Sequence, residues 1–404
     1  MNVEMRVLVV NQRWGYGGGQ TVFYYTIKAL TDAGFKVVVS TSERPDPQAY
    51  EELVGEPLPP NVELKHPSLN VRAFAIYKGI LSWLEAYRGD YDVVVATAGF
   101  PPSAKRLKAP VVYYMHFPLV LMLDEKWNPG VHNRYSLKSP LSYGIRGFLE
   151  SLVLWLYVKP YSLLARRCFK ELLLKSHKIL VNSTFTLRAL EYALNNVYKC
   201  CNEVLEKTSI LYPPLPRMSE LLSARNRSKE LCVTTLGRFS SEKNYELVLE
   251  VAKILKDVRF YIIGGVYGMA SRAYYEKIKK RAPSNVIVEA NVDNQRKVEI
   301  LSSCSTYLHA AAGEQFGIAP LEAMVAGATL VVHTFSGTWT DVCLEGKYCY
   351  GFNNQEPLEI SEKVKEALEK PKTAPLEHIE KFSPHVFMKG VVKAVEEVVH
   401  FSRL

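Results

Sequence analysis

Three short strings hold residue types suited to gripping a charged leaving group. The first is Gly15-Tyr16-Gly17-Gly18-Gly19-Gln20, set between a strand-like run and a helical pattern. Glycine lets backbone come close to a ligand, and a helix start aims unpaired N–H groups at an anion. The string suits contact with phosphate or sugar, and equally it suits a plain tight turn. Its spacing is not G-x-G-x-x-G with an acidic residue after the second strand, so a dinucleotide fingerprint is a poor fit. The second string is Gly237-Arg238-Phe239-Ser240-Ser241-Glu242-Lys243-Asn244. Arg238 offers a fork of donors and Lys243 a point charge, a pair matched to a diphosphate. The alternative is two solvated basic residues in a loop. The third string runs from Glu314-Gln315-Phe316-Gly317 through Ile318-Ala319-Pro320-Leu321 to Glu322. Gly317 closes a loop and the next residues open a helix, so the N–H groups of Ile318 and Ala319 face an anion. Glu322, one turn on, presents two oxygens to vicinal ribose hydroxyls. Glu314 reaches the other end of the same ligand. Read blandly, this is an amphipathic helix with an incidental glutamate.

Elements that would position these strings follow from the apolar pattern. Strands are expected at Arg6 to Asn11, Val37 to Val39, Asp92 to Ala96, Pro110 to Tyr114 and Lys178 to Asn182. A second series is expected at Leu231 to Leu236, Val258 to Ile263, Val286 to Glu289, Thr306 to His309 and Thr329 to His333. Helical patterns alternate with them, as in a parallel sheet covered on both faces. Pro213, Pro214 and Pro216 interrupt regular structure between the two series. The division expected is residues 1–208, a linker at 209–228, residues 229–384, and a last helix at 385–404 that crosses back to the first domain. Each string then lies after a strand, where ligands bind in such sheets.

The chain has 404 residues and a formal net charge of +9. That length suits two domains, and the charge favours anionic partners. No block of five or six basic residues and no zinc-finger or RNA-binding signature occurs, so nucleic acid is set aside. The seven cysteines include no C-x-x-C and read as a reduced, packing set typical of the cytoplasm. Adjacent Cys200 and Cys201 are close enough to oxidise, but packing is the favoured reading. No leader is read ahead of the strand at Met5, and no apolar run reaches the roughly 18 to 20 residues of a spanning helix. Phe148 to Tyr161 comes nearest, broken by Glu150, Lys159 and Pro160. With Arg146, Arg166, Arg167 and Lys170 nearby, residues 145–175 suit a bilayer interface, or equally a long core helix.

With all three strings in order, the chain resembles the retaining family 4 glycosyltransferases of the GT-B fold. Glu314 to Glu322 is similar to that family's E-x7-E motif, and Gly237 to Asn244 to its diphosphate loop. A narrower resemblance is to the mannosyltransferases that extend dolichyl-diphosphate-linked oligosaccharides in asparagine glycosylation. It is carried by Gly17 to Gln20, Tyr114-Met115-His116-Phe117-Pro118, Val181 to Thr186, Leu211-Tyr212-Pro213-Pro214 and Glu314 to Gly317. Gln20 stands where a Glu is usual, and Ser336-Gly337-Thr338-Trp339 departs from the usual Gly-Gly-Pro pattern.

The resemblance implies two Rossmann-like doubly wound domains with a cleft between them and a nucleotide-diphosphate sugar seated on the second. Gly18, Gly19, Arg238, Lys243, Gly317, Ile318, Ala319 and Glu322 would bind the donor. Glu314, His116, Arg238 and Lys243 would take part in the chemistry, with His116 equally readable as a packing histidine. Gly17, Asn182, Ser183 and Thr184 would lie on the acceptor side, although Ser183 serves as well for a helix N-cap. No cofactor and no metal are expected, because two cations and helix amides can replace Mg²⁺. The expected acceptor is a polyprenyl-diphosphate-linked saccharide met at the cytoplasmic face of a membrane. Competing readings are transfer from UDP-glucose or UDP-N-acetylglucosamine, a nucleotide-sugar epimerase, and a binding protein that has lost catalysis.

Overall fold

The structure, a computed structural model, describes residues 5–67, 78–122, 124–127, 160–161 and 163–402. Most of the apolar Phe148 to Tyr161 stretch lies outside the described residues. Two parallel sheets form two lobes. The first lobe uses β1 (Arg6–Val10), β2 (Lys36–Ser40), β3 (Glu63–Lys65), β4 (Val93–Ala96), β5 (Val111–Met115), β6 (Lys178–Val181) and β7 (Thr208–Ile210), in the order β3-β2-β1-β4-β5-β6-β7. The second uses β8 (Glu230–Leu236), β9 (Arg259–Gly264), β10 (Val286–Ala290), β11 (Cys304–His309), β12 (Thr329–His333) and β13 (Cys349–Phe352), in the order β10-β9-β8-β11-β12-β13. All their pairings are parallel, Val7 against Val37 and Val93 for example.

Both faces of each sheet are buried, which is why the strands read as unbroken apolar runs. Along β1, Val7 and Val9 pack on one side with helix Gly18–Asp32 and with Phe387, Val391 and Val395 of helix Pro384–Ser402. Leu8 and Val10 pack on the other with Phe169 and Leu172. So the last helix lies along the first lobe. Burying each of those three side chains is worth roughly 1.5–3 kcal/mol. In the second lobe, helices Tyr245–Ile254, Gly268–Arg281 and Pro357–Glu369 cover one face and helix Ile318–Val325 the other.

Two expectations need correcting. The prolines predict irregular structure between the lobes, yet Met218–Ala224 is helical inside that stretch. All three prolines precede Arg217, so none sits in the helix interior. Met218, Leu221 and Ala224 are buried, and apolar packing against the second lobe stabilises the turn. Cysteine spacing predicts a reduced, packing set. Instead Cys232 bonds Cys304, Cys343 bonds Cys349 and Cys200 bonds Cys201. Neighbouring strands β8 and β11 bring the Cα atoms of Cys232 and Cys304 to 4.8 Å, a proximity invisible across 72 residues of sequence. Buried Cys168 remains a free thiol.

Candidate functional site

Strand order reverses between β1 and β4 and again between β8 and β11. Such switch points open a crevice outside the carboxyl ends of the strands. The glycine string follows β1, the Arg238 string follows β8, and the Glu314 string follows β11, so topology delivers all three strings to the crevices.

The lobes meet there. A Cβ added to Gly18 would lie 3.0 Å from Ile318 Cδ1, and one on Gly19 would lie 3.7 Å from His116 Nε2. Gly17 caps helix Gly18–Asp32 with a φ of +117°, and around its Cβ position nothing stands within 4 Å. Gly17, Gly18, Gly19, His116 and Ile318 therefore share one seam. His116 follows β5. Burial pushes its pKa down to about 4, against the opposing effect of a bond with the Thr97 carbonyl. At neutral pH it is an uncharged hydrogen-bonding group.

Across the seam a carboxylate is held by two partners. Lys243 Nζ lies 2.6 Å and His309 Nε2 3.1 Å from Glu314 Oε2. Burial resists ionisation of Glu314, but the ammonium and the imidazole outweigh it and hold the carboxyl well below the usual range. His309, 3% exposed, is pushed towards its neutral form by burial. One turn along the next helix, buried Glu322 accepts from Lys297 Nζ at 2.6 Å. Between the two carboxylates the helix Ile318–Val325 begins. Pro320 removes one of the four unpaired N–H groups of its first turn, leaving Ile318 and Ala319 at the tip. Gly317, at φ +93°, must be glycine, because a Cβ there would fall 2.2 Å from Thr338 Oγ1. The atypical Ser336 to Trp339 string explains that constraint. Gly337 N–H donates to the Glu314 carbonyl at 2.7 Å and Thr338 Oγ1 donates to the Phe316 carbonyl at 2.8 Å. It props the Glu314 loop from behind.

Arg238 stands apart from Lys243. Its side chain is 59% exposed and 3.6 Å from Glu242, a pair of little energetic weight at such exposure. It lines a cavity shared with the glycine loop. Asn182 is buried, while Ser183 and Thr184 are committed to contacts between the lobes. Ser183 Oγ caps helix Thr184–Tyr192 and donates to the Gln315 carbonyl at 2.6 Å. Asp341 accepts from Thr184 N–H at 2.9 Å and from Thr184 Oγ1 at 2.7 Å. Phe185 and Phe335 meet edge to face beside them, 5.0 Å apart. His309, Lys297 and Asp341 escaped the motif reading. His309 ends an expected strand, which was a signal; Lys297 and Asp341 had none.

Metal ligation was not expected. One Asp-x-Asp string does occur, Asp90-Tyr91-Asp92. It precedes β4 at the amino ends of the strands, where Asp92 accepts from Arg6 N–H at 2.7 Å, away from the crevice. Among the described residues, no three His, Cys, Asp or Glu side chains form a metal-ligand group.

The arrangement sets an ammonium, a helix N-terminus and two carboxylates together at the crevice. The fold and site define a GT-B glycosyltransferase. Residues 16–195 match the model of Glycosyltransferase Family 4, and residues 221–382 match that of Glycosyl transferases group 1; the chain belongs to the glycosyltransferases these models describe. Among curated proteins it is 22% identical, over 366 residues, to the GDP-Man:Man(3)GlcNAc(2)-PP-Dol alpha-1,2-mannosyltransferase of Xenopus laevis, covering 81% of this chain and 72% of that one. It is also 22% identical to an alpha-1,3/1,6-mannosyltransferase of Homo sapiens, covering 55% of this chain and 58% of that one. Among solved structures, a glycosyltransferase from Rickettsia africae superposes with a TM-score of 0.61 at 13% identity, covering 98% of this chain and 99% of that one. At that identity the likeness is of fold.

Proposed function

We propose that the protein is a retaining mannosyltransferase that moves mannose from GDP-mannose to a polyprenyl-diphosphate-linked saccharide. The observation that carries this reading is the Lys243–Glu314–His309 cluster beside the Ile318 helix tip, facing Gly18, Gly19 and His116. Both named relatives being mannosyltransferases supports the choice of sugar.

Lys243 and the Ile318 and Ala319 amides receive the diphosphate and stabilise the charge that grows on it as the glycosidic bond breaks. Arg238 adds a fork of donors at the rim. Glu322 turns from Lys297 towards the ribose hydroxyls. Glu314, kept ionised, accepts from hydroxyls of the donor sugar, while neutral His116 offers a hydrogen bond from the other lobe. The acceptor hydroxyl attacks on the face the diphosphate leaves, and a departing phosphate oxygen takes its proton. Charge stabilisation by Lys243, Arg238 and helix amides makes the reaction independent of metal. The lipid-linked acceptor is met by peripheral attachment at the cytoplasmic face of a membrane; among the described residues no helix is long and apolar enough to cross one.

A thermal-shift screen of GDP-mannose, UDP-glucose, UDP-N-acetylglucosamine and ADP-glucose tests the donor, because a ligand of the folded state raises the melting temperature. GDP-mannose should give the largest shift. Transfer to a synthetic prenyl-diphosphate glycan, followed as GDP release, should continue in EDTA. A larger shift with UDP-glucose overturns the donor, and activity lost to EDTA and restored by Mg²⁺ overturns the metal-free step.

A further inference from the structure

A cavity of about 560 Å³ lies against the Arg238 string. One wall is the first lobe's loop after β1, with Arg13, Trp14 and Tyr16, joined by Glu43 from beyond β2. The opposite wall is Arg238 and Glu242, with Tyr267 just ahead of helix Gly268–Arg281. The volume is within the range of small-molecule sites.

This cavity adjoins the groove assigned to the nucleotide and shares Arg238 with it. Glu322 and the helix tip at Ile318 belong to the helix that packs with Leu301, Leu321 and Tyr307 on one face of the second sheet. The helix Gly268–Arg281 buries Tyr274 and Ile278 against Val248 and Phe260 on the opposite face. The loop after β8, which carries Arg238, borders both.

Its lining has a particular chemistry. Arg13 and Arg238 bring two positive charges, and Glu43 and Glu242 bring two negative ones. Glu43 pairs with Lys78 at 3.1 Å and Glu242 with Arg238 at 3.6 Å, so most of the charge in the walls is already matched, which favours a neutral ligand. Two rings from opposite lobes stand open in the walls, Tyr16 at 48% and Tyr267 at 57% exposure. Nothing among the described residues hydrogen-bonds the Arg13 guanidinium, the Ser241 hydroxyl or the Tyr267 hydroxyl. Flat rings with donors and acceptors around them match a sugar, which has an apolar C–H face and a rim of hydroxyls.

We propose that this cavity binds neutral saccharide, namely the sugar residues of the acceptor glycan beyond its reacting hydroxyl. The proposal rests on the transferase reading. Because each lobe supplies one open ring, the subsite is complete only when the lobes are together.

The test is calorimetric titration of mannotriose into the intact protein, its Tyr267→Ala variant and its Tyr16→Ala variant, each with GDP as a separate probe of the nucleotide groove. The wild type should bind mannotriose, and each truncation should weaken binding about three- to tenfold, the worth of one ring contact. GDP affinity should stay within twofold in the Tyr267→Ala variant. No mannotriose binding by the wild type, or equal binding by all three proteins, overturns the subsite. Displacement of mannotriose by inorganic pyrophosphate in saturating GDP overturns the neutral ligand. Failure of the wild type to bind GDP or turn over any nucleotide sugar would instead sink the transferase reading, and the mannotriose titration would still judge the cavity.

Discussion

Replacing Lys243 by alanine separates chemistry from architecture. In the folded protein its ammonium lies 2.6 Å from Glu314, and the two side chains are 19% and 18% exposed. Truncation leaves Glu314 with His309 alone. An under-satisfied, largely buried charge costs about 1–3 kcal/mol, so the variant should melt several degrees lower while keeping its fold. Catalysis should suffer more. Loss of one donor aimed at developing charge costs about 2.7–4 kcal/mol, a 10²- to 10³-fold fall in turnover. The assay is GDP release from GDP-mannose in the presence of a prenyl-diphosphate glycan. Because the charge grows in the transition state, kcat should fall by more than KM rises. The double variant Lys243→Ala with Glu314→Gln discriminates further: it removes the stranded carboxylate, so thermal stability should recover while turnover stays low. A folded Lys243→Ala enzyme working within about threefold of the wild type would refute the assignment of Lys243 to the leaving diphosphate.

Asp341→Ala should cost about 2–3 kcal/mol in urea unfolding, since it strands the Thr184 N–H and hydroxyl in a buried contact between the lobes; Asp341→Asn, which keeps an acceptor, should lose less, and equal losses would argue against the contact. His116 has a folded pKa of about 4 against an ordinary value of about 6.5. Between those values the unfolded chain binds a proton that the folded one refuses, so stability should fall as pH drops through that window, and His116→Gln should flatten part of the fall. An unchanged slope in pH-dependent melting would contradict a buried neutral imidazole. Gly317→Ala forces a Cβ onto Thr338 Oγ1 at a left-handed φ of +93°. It should destabilise by about 1–3 kcal/mol and cut GDP release, and wild-type melting and turnover would show that the loop tolerates a side chain.

What could be read from sequence was whatever is encoded locally. The strand runs, the glycine string and the Glu314 to Glu322 spacing are contiguous, and burial on both sheet faces makes such runs plain. Lys297 reaches Glu322 from a helix 25 positions earlier, and Asp341 reaches Thr184 across 157 positions. Neither pairing leaves a trace in local pattern, because tertiary topology creates it. Ser183 shows the intermediate case. Its N-cap role is a local property and could be foreseen, but its bond to the Gln315 carbonyl required both lobes in place. Arg238 and Lys243, five positions apart in one string, looked like partners, yet the chain turns between them and sets one beside Glu314 and the other at the cavity.

The last helix packs on the lobe in which the chain began, so the backbone passes between lobes twice. The two passages hold each other. Leu215 N–H donates to the Phe382 carbonyl at 2.9 Å, and the Tyr212 and Phe382 rings lie 5.0 Å apart. A single passage would be a tether, free to swivel. A bonded pair holds the two crossings in a fixed relation to each other. Removing the chain beyond residue 383 would take away the second passage and also Phe387, Val391 and Val395 from the first lobe's core, so that lobe should melt lower.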